Sequence, residues 1–353
     1  MLNTCQMVYH HKNCLNTKRP YAKPCRLCID ACPHQAISEY REIDGKRCTE
    51  CGVCMAVCPS DGMVDRNTDL LHQYIEETDG DIILNCPEAS SLGFEISCLG
   101  IIDHDLWLTL IQLAKERKIT IHTGKCVECP DKKACALSVK IFKEVHEDWP
   151  DHPPILIKVS PDQPVGDAST SSNVKQASLP KTKATEKKGW RNKGWEKLEN
   201  ILPGLTADEA YSIPRTRELL VRQMSARSQD KIPLPALQVK DACTSCGVCV
   251  AICPQAALTK KEDGDELSII YEPYKCVRCQ RCVNICNPKA LDFAKKKLSH
   301  RHFTGKILLH KGSPKHCVRC GKQVFDNTEP PLCIACASSH SDSIISPKTE
   351  KHG

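Results

Sequence analysis

Residues 243–286 read CTSCGVCVAICPQAALTKKEDGDELSIIYEPYKCVRCQRCVNIC, and one cysteine pattern occurs in them twice. Cys243, Cys246, Cys249 and Cys253 follow C-x2-C-x2-C-x3-C, with Pro254 directly after the fourth. Cys276, Cys279, Cys282 and Cys286 repeat the spacing and end Cys286-Asn287-Pro288. Three thiolates two residues apart can wrap three corners of a four-iron, four-sulfide cubane, while the fourth leaves the loop at another angle. Eight cysteines held to this spacing point to two iron–sulfur ligand sets rather than to disulfides or zinc. Between the sets, Leu258–Glu272 reads as two strands around an Asp263-Gly264 turn.

The stretch resembles the bacterial two-[4Fe–4S] ferredoxins, in which the fourth cysteine of each pattern ligates the other cluster. The resemblance implies Cys243, Cys246 and Cys249 with Cys286, and Cys276, Cys279 and Cys282 with Cys253. It also implies two pseudo-symmetric halves, each a cluster loop, a short helical turn and a β-hairpin. The N-terminus looks like a worn copy. Cys48, Cys51, Cys54 and Cys58-Pro59 have the full spacing, but Cys25, Cys28 and Cys32-Pro33 lack a first member, because Ala22 stands there. Cys14 is the expected replacement, with Cys5 the other candidate. Cys14-Leu-Asn-Thr-Lys-Arg resembles bacterial ferredoxin-like proteins whose first cysteine lies upstream of an Arg-containing loop. The swapped assignment then implies Cys14, Cys25 and Cys28 with Cys58, and Cys48, Cys51 and Cys54 with Cys32.

Residues 67–160 change character. Short apolar runs at Asp81–Asn85, Phe94–Ser97, Ile119–His122 and Ile155–Val159 alternate with helical patterns at Asp69–Glu77, Asp103–Lys118 and Asp131–Trp149. Such alternation predicts a small α/β unit with a mostly parallel sheet. Cys86, Cys98 and Cys126 each follow a strand closely, and Cys129 follows three residues later. Ligands collect outside the carboxyl ends of such strands. Four thiolates there fit a [2Fe–2S] cluster, and equally a zinc ion or a redox-active thiol site. The order Cys86…Cys98-Leu-Gly…Gly124-Lys-Cys126-x2-Cys129 resembles the delta subunit of methyl-viologen-reducing hydrogenases. That family binds a [2Fe–2S] cluster and passes electrons to heterodisulfide reductase. It has C-x2-C where this chain has Cys86 alone. Cys135 is expected to be helical and outside the ligand set.

Residues 161–188, rich in Ser, Thr, Lys, Pro and Asp, read as a flexible linker. Helical signals run over 189–232, before the second ferredoxin-like unit at 233–298. In 299–338, Cys317-x2-Cys320 and Cys333-x2-Cys336 form paired knuckles. Four such cysteines normally hold structural zinc, and the segment resembles a short zinc ribbon, although a rubredoxin-like iron site has the same ligands. Residues 339–353 are expected to be a disordered tail. The fold class is therefore modular α+β, with ferredoxin-like di-cluster units at 1–66 and 233–298, the α/β unit between them and a zinc-ribbon-like tail.

The chain has 353 residues and 26 cysteines, but only 5 % aromatics, which suits several small metal-supported units better than one large core. The N-terminus has no signal-peptide pattern and no apolar run is long enough to span a membrane, so a cytoplasmic location is expected, where thiols hold metal. A formal charge of +6 without aromatic–basic interleaving argues against a nucleic-acid-binding regulator. No dinucleotide fingerprint, P-loop or flavin-type motif is present, so no nucleotide cofactor site is expected. The leading expectation is a multi-cluster electron carrier between a redox protein donor and acceptor, a subunit or adaptor of an oxidoreductase complex. The alternative is a thiol or persulfide enzyme centred on Cys86, Cys98, Cys126 and Cys129. Replacing Cys14 with Ser should remove about four iron per chain, and Cys5→Ser none. Iron and sulfide assays on anaerobically purified protein check this; the reverse pattern would sink the N-terminal assignment.

Overall fold

The computed structural model of the chain describes residues 5–18, 23–65, 67–89, 93–149, 151–159, 213–226, 230–325, 329–333 and 335–337. The expected linker, residues 189–212 of the expected helical segment, residues 339–353, Arg19 and Ala22 lie outside the described residues.

In the N-terminal module, β1 (Val8–Tyr9) precedes three short helices, α1 (Leu15–Lys18), α2 (Leu27–Ala31) and α3 (Val53–Ala56). The chain closes on itself when β2 (Met63–Val64) pairs antiparallel with β1, in register Val8↔Val64 and Tyr9↔Met63. An isolated bridge, Ile37↔Ile43, stands where a longer hairpin was expected.

The central unit follows as α4 (Thr68–Glu77), β3 (Ile82–Asn85), β4 (Phe94–Glu95), α5 (His104–Leu113), β5 (Ile119–Thr123), α6 (Lys132–Glu147) and β6 (Ile155–Val159). Its four strands lie in the order β4-β3-β5-β6, all parallel, as the alternation of strands and helices predicts. Asp103 opens α5 by accepting the Leu106 N–H at 2.7 Å. Residues 105–113 of that helix are all buried. Its sequence suggests one apolar stripe, yet two opposite faces are used. Leu106, Leu110 and Leu113 pack in a core with the parallel sheet, whereas Leu108 and Ile111 join a second core with the C-terminal module. A helix that is apolar all round belongs between two layers.

The C-terminal module starts with α7 (Arg215–Ala226) and β7 (Lys231–Val239). It continues as α8 (Val248–Ile252), the hairpin β8 (Leu258–Asp263) and β9 (Glu266–Tyr271), α9 (Arg281–Ile285), β10 (Leu291–Ser299), α10 (His300–Thr304) and β11 (Ile307–Gly312). The hairpin turns where expected, with Gly264 at φ +60° following the Asp263↔Glu266 pair. Two features differ from the sequence expectation. β7 begins inside the segment read as helical to 232, because Pro233 and Pro235 hide its strand character. In the two-stranded β7–β10 ribbon each strand is an edge, where a proline nitrogen can face outward. β11, expected in the tail, instead pairs antiparallel with β9 and extends the hairpin sheet.

The module is tied to α5 by one buried carboxylate. Arg217 donates to Asp105 through Nε at 2.8 Å, and Arg278, inside the second cysteine loop, donates through Nη2 at 3.1 Å. Arg217 also reaches the carbonyls of Tyr274, at 3.3 Å, and Cys276. Burial alone would raise the Asp105 carboxyl, but the two guanidinium groups hold it well below the usual carboxylate range. Removing one partner of a buried pair leaves an uncompensated charge, so Asp105→Asn should cost about 3–5 kcal/mol. Denaturant unfolding of the anaerobic protein measures it; a loss under about 1 kcal/mol would contradict the role given to this pair.

Candidate metal centres

One backbone device recurs at four places. After the last cysteine of each pattern, the third residue adopts positive φ: Gln35 (+50°), Asp61 (+51°), Ala256 (+46°) and Lys289 (+52°). The turn aims the next N–H back at the sulfur. Ala36 donates to Cys32 Sγ at 3.3 Å, Gly62 to Cys58 at 3.1 Å, Ala257 to Cys253 at 3.3 Å and Ala290 to Cys286 at 3.3 Å. Non-glycine residues in this region cost on the order of 1–3 kcal/mol each and persist where the surroundings over-determine them. Such N–H groups stabilise thiolate over thiol.

A second device marks the three complete patterns. Glu50, Ser245 and Arg278 have positive φ between the first two cysteines, and Gly52, Gly247 and Gln280 have it after the second. The incomplete pattern lacks the latter, since Arg26 sits at φ −126°. Here Cys14, directly ahead of α1, stands with Cys25, Cys28 and Cys58. The side chain of Asn16 pairs with the backbone of Cys25, accepting its N–H at 2.8 Å and donating to its carbonyl at 2.9 Å. This clamp brings the loop to Cys14.

Four cavities result, each lined by four cysteines. Cys14, Cys25, Cys28 and Cys58 line one. Cys32, Cys48, Cys51 and Cys54 line the next, and Met63 borders both. In the C-terminal module one is lined by Cys253, Cys276, Cys279 and Cys282, the other by Cys243, Cys246, Cys249 and Cys286. Burial pushes Cys28 and Cys279 up to about 11 and Cys249 up to about 12. Metal binding at such thiols releases their protons. Cys5 lies outside these linings and hydrogen-bonds to Cys48.

Contacts join elements that line different cavities. Lys18 Nζ donates to Gln255 Oε1 at 2.5 Å, and Arg281 Nη2 to the Leu15 carbonyl at 3.2 Å. Leu15 lines the Cys14 cavity and Gln255 the Cys253 cavity, so the two modules meet there. At the other end of the N-terminal module, Asp131 of the central unit accepts from Thr49 at 2.7 Å and pairs with His34 Nε2 at 2.7 Å. Cys51 and Cys98 stand close enough for the charge of Cys51 to raise the Cys98 thiol, which burial chiefly pushes up to about 12.

In the central unit, Cys86 directly follows β3, Cys98 lies beyond β4, and Cys126 and Cys129 lie beyond β5, so all four gather at the carboxyl end of the sheet. Cys98 Sγ accepts the Gly100 N–H at 3.3 Å, and Cys129 Sγ that of Asp131 at 3.4 Å. Cys135, expected outside this group, is buried and lies beside Cys126.

The tail has the tightest grouping. The sulfurs of Cys317, Cys320, Cys333 and Cys336 all lie within 4.8 Å of one another. Tetrahedral zinc–sulfur bonds of about 2.3 Å place sulfurs about 3.8 Å apart, so these four fit such an ion. Backbone N–H groups, that of Cys333 first, pull Cys317 down to about 6. Gly321 follows the first knuckle at φ +70°. The tail abuts the outermost cavity, where Phe325 joins the lining and Gln323 donates to the Cys246 carbonyl at 3.4 Å.

Neither the sulfur-directed N–H groups nor the Asn16 clamp was read from the sequence. A visible trace of the former is the small residue four places after each last cysteine, Ala36, Gly62, Ala257 and Ala290. Two tyrosines were also missed: Tyr9 hydrogen-bonds to Cys14 and Tyr271 to Cys276.

A family model described as a 4Fe–4S dicluster domain matches residues 242–290, and one described as a 4Fe–4S binding domain matches residues 46–65. No curated protein matches the chain at a significant level. Two stretches of the chain thus carry ferredoxin-type 4Fe–4S domains. Among the described residues no helix is long and apolar enough to cross a membrane. A hydroxyl donating to a ligating sulfur favours the more negative, reduced state of a cluster. Tyr271→Phe should therefore lower the potential of one cluster by about 40 mV, the one-electron equivalent of a hydrogen bond worth about 1 kcal/mol. Redox titration followed by EPR measures the shift; a rise would contradict it.

Proposed function

We propose that the protein carries single electrons between redox partners, a donor and an acceptor protein, through a row of iron–sulfur sites. The ligand sets are Cys243, Cys246, Cys249 and Cys286; Cys253, Cys276, Cys279 and Cys282; Cys14, Cys25, Cys28 and Cys58; and Cys32, Cys48, Cys51 and Cys54, each for one [4Fe–4S] cluster. The central cysteines hold a fifth, [2Fe–2S] cluster, and Cys317, Cys320, Cys333 and Cys336 a structural zinc. Bound clusters of these kinds supply one-electron exchange, with potentials tuned by burial and hydrogen bonds. The chain's own part is to hold the thiolates, aim the N–H groups of Ala36, Gly62, Ala257 and Ala290 at them, and keep each site against the next.

One observation carries this reading: the junction at which Lys18 meets Gln255 and Arg281 meets Leu15. It joins two cysteine modules far apart in sequence at the Cys14 and Cys253 cavities, and the Cys51–Cys98 approach continues toward the central unit. An adaptor in an oxidoreductase complex needs such a row, with partners reached at its ends. The resemblance of the central unit to a hydrogenase delta subunit supports the same role.

Metal analysis tests it. Four cubanes, one [2Fe–2S] cluster and one zinc require about 18 iron, 18 sulfide and one zinc per chain from anaerobic purification. About 16 iron and 16 sulfide would remove the central unit from the row and favour thiol chemistry there. Fewer than about eight iron would sink the relay altogether.

A further inference from the structure

Five thiols, not four, converge at the carboxyl end of the parallel sheet, and a [2Fe–2S] cluster takes four. We propose that the inner set is Cys86, Cys98, Cys126 and Cys135, with Cys129 at the rim. The inference rests on the reading that the central unit holds such a cluster.

Three observations carry it. First, Cys135 is buried, in the same core as Cys98, and Cys126 packs against that core. It lies close enough to Cys126, Cys98 and Cys86 for each to act on its thiol, so it faces the other three members of the set. Second, the backbone is shaped to bring it there. A Cβ at Gly100 would stand 2.8 Å from that of Ala134, and contacts that close do not occur. Glycine at 100 therefore lets the first turn of α6 close onto the Cys98-Leu99-Gly100 loop, and Cys135 is the next residue in that turn. The same Gly100 donates its N–H to Cys98 Sγ, so one residue both supports a ligand and admits another. Third, Cys129 sits in the turn ahead of α6 and is only partly buried, whereas Cys135 is buried. Cys135 has the firmer support, because it stands on a 16-residue helix packed against the core. On binding, each of the four thiols gives its proton to solvent and its sulfur to iron.

The test compares full-length, anaerobically purified wild type, Cys135→Ser and Cys129→Ser by iron and sulfide content and by Mössbauer spectroscopy. Wild type should hold about 18 iron, Cys135→Ser about 16 with loss of the [2Fe–2S] spectrum, and Cys129→Ser about 18. The iron kept by the cubanes shows that a variant has folded. A Cys135→Ser chain that keeps 18 iron overturns the assignment, and so does a Cys129→Ser chain that falls to about 16. Wild type with only about 16 iron overturns this inference together with the central cluster. Wild type at 18 with an unaffected Cys135→Ser chain sinks the ligand choice alone.

Discussion

The carboxylate of Asp105 is buried between two guanidinium groups, and the arrangement of the chain depends on it. An isolated charge is costly to take out of water, and only close, well-formed pairs compensate. Asp105 sits in the first turn of α5, Arg217 comes from α7, and Arg278 lies inside a cysteine loop. Satisfying one carboxylate therefore fixes helix, helix and loop together. Asp103 beside it is raised to about 7, by burial and then by the Asp105 charge, and Thr216 donates to it at 2.6 Å. With α5 enclosed on both faces, the central unit and the C-terminal module share a boundary centred on this helix, to which Val145, Trp149 and Leu219 also contribute.

Backbone strain is concentrated where the sulfurs are. Of the non-glycine residues at positive φ, Gln35, Glu50, Asp61, Ser245, Ala256, Arg278, Gln280 and Lys289 all belong to the cysteine loops. Each bends the chain so that an amide or a thiol faces a cavity, a conformation that L-residues adopt only under external constraint. Pairing of β1 with β2 and of β7 with β10 ties the ends of each module together around these loops. Small modules with little apolar core depend on such closure and on bound metal.

Much of this was legible in the spacing of cysteines and the alternation of apolar runs. Two-residue spacing brings neighbouring thiols to one cavity, whereas the cysteine each cavity takes from the other loop was implied by the ferredoxin resemblance alone. The parallel sheet was legible from its buried strands at Ile82–Asn85 and Ile119–Thr123. β7 was not, since its prolines mimic a turn, and β11 was not, since its partner β9 lies more than thirty residues earlier. Cys135 looked spare because its approach to Cys98 depends on the absence of a side chain at Gly100, a fact about two backbones and not about spacing.

The sequence by itself determined which stretches carry 4Fe–4S-type cysteine patterns, since ligand type and local spacing are short-range properties. It also determined the alternation of elements, because a helix or a strand needs only its own periodicity. Only the tertiary structure decided which sites are neighbours. That the Cys14 cavity meets the Cys253 cavity follows from Arg281 donating to the Leu15 carbonyl, across 266 residues of chain. Contacts at that separation depend on how separate surfaces match, and no local pattern encodes them.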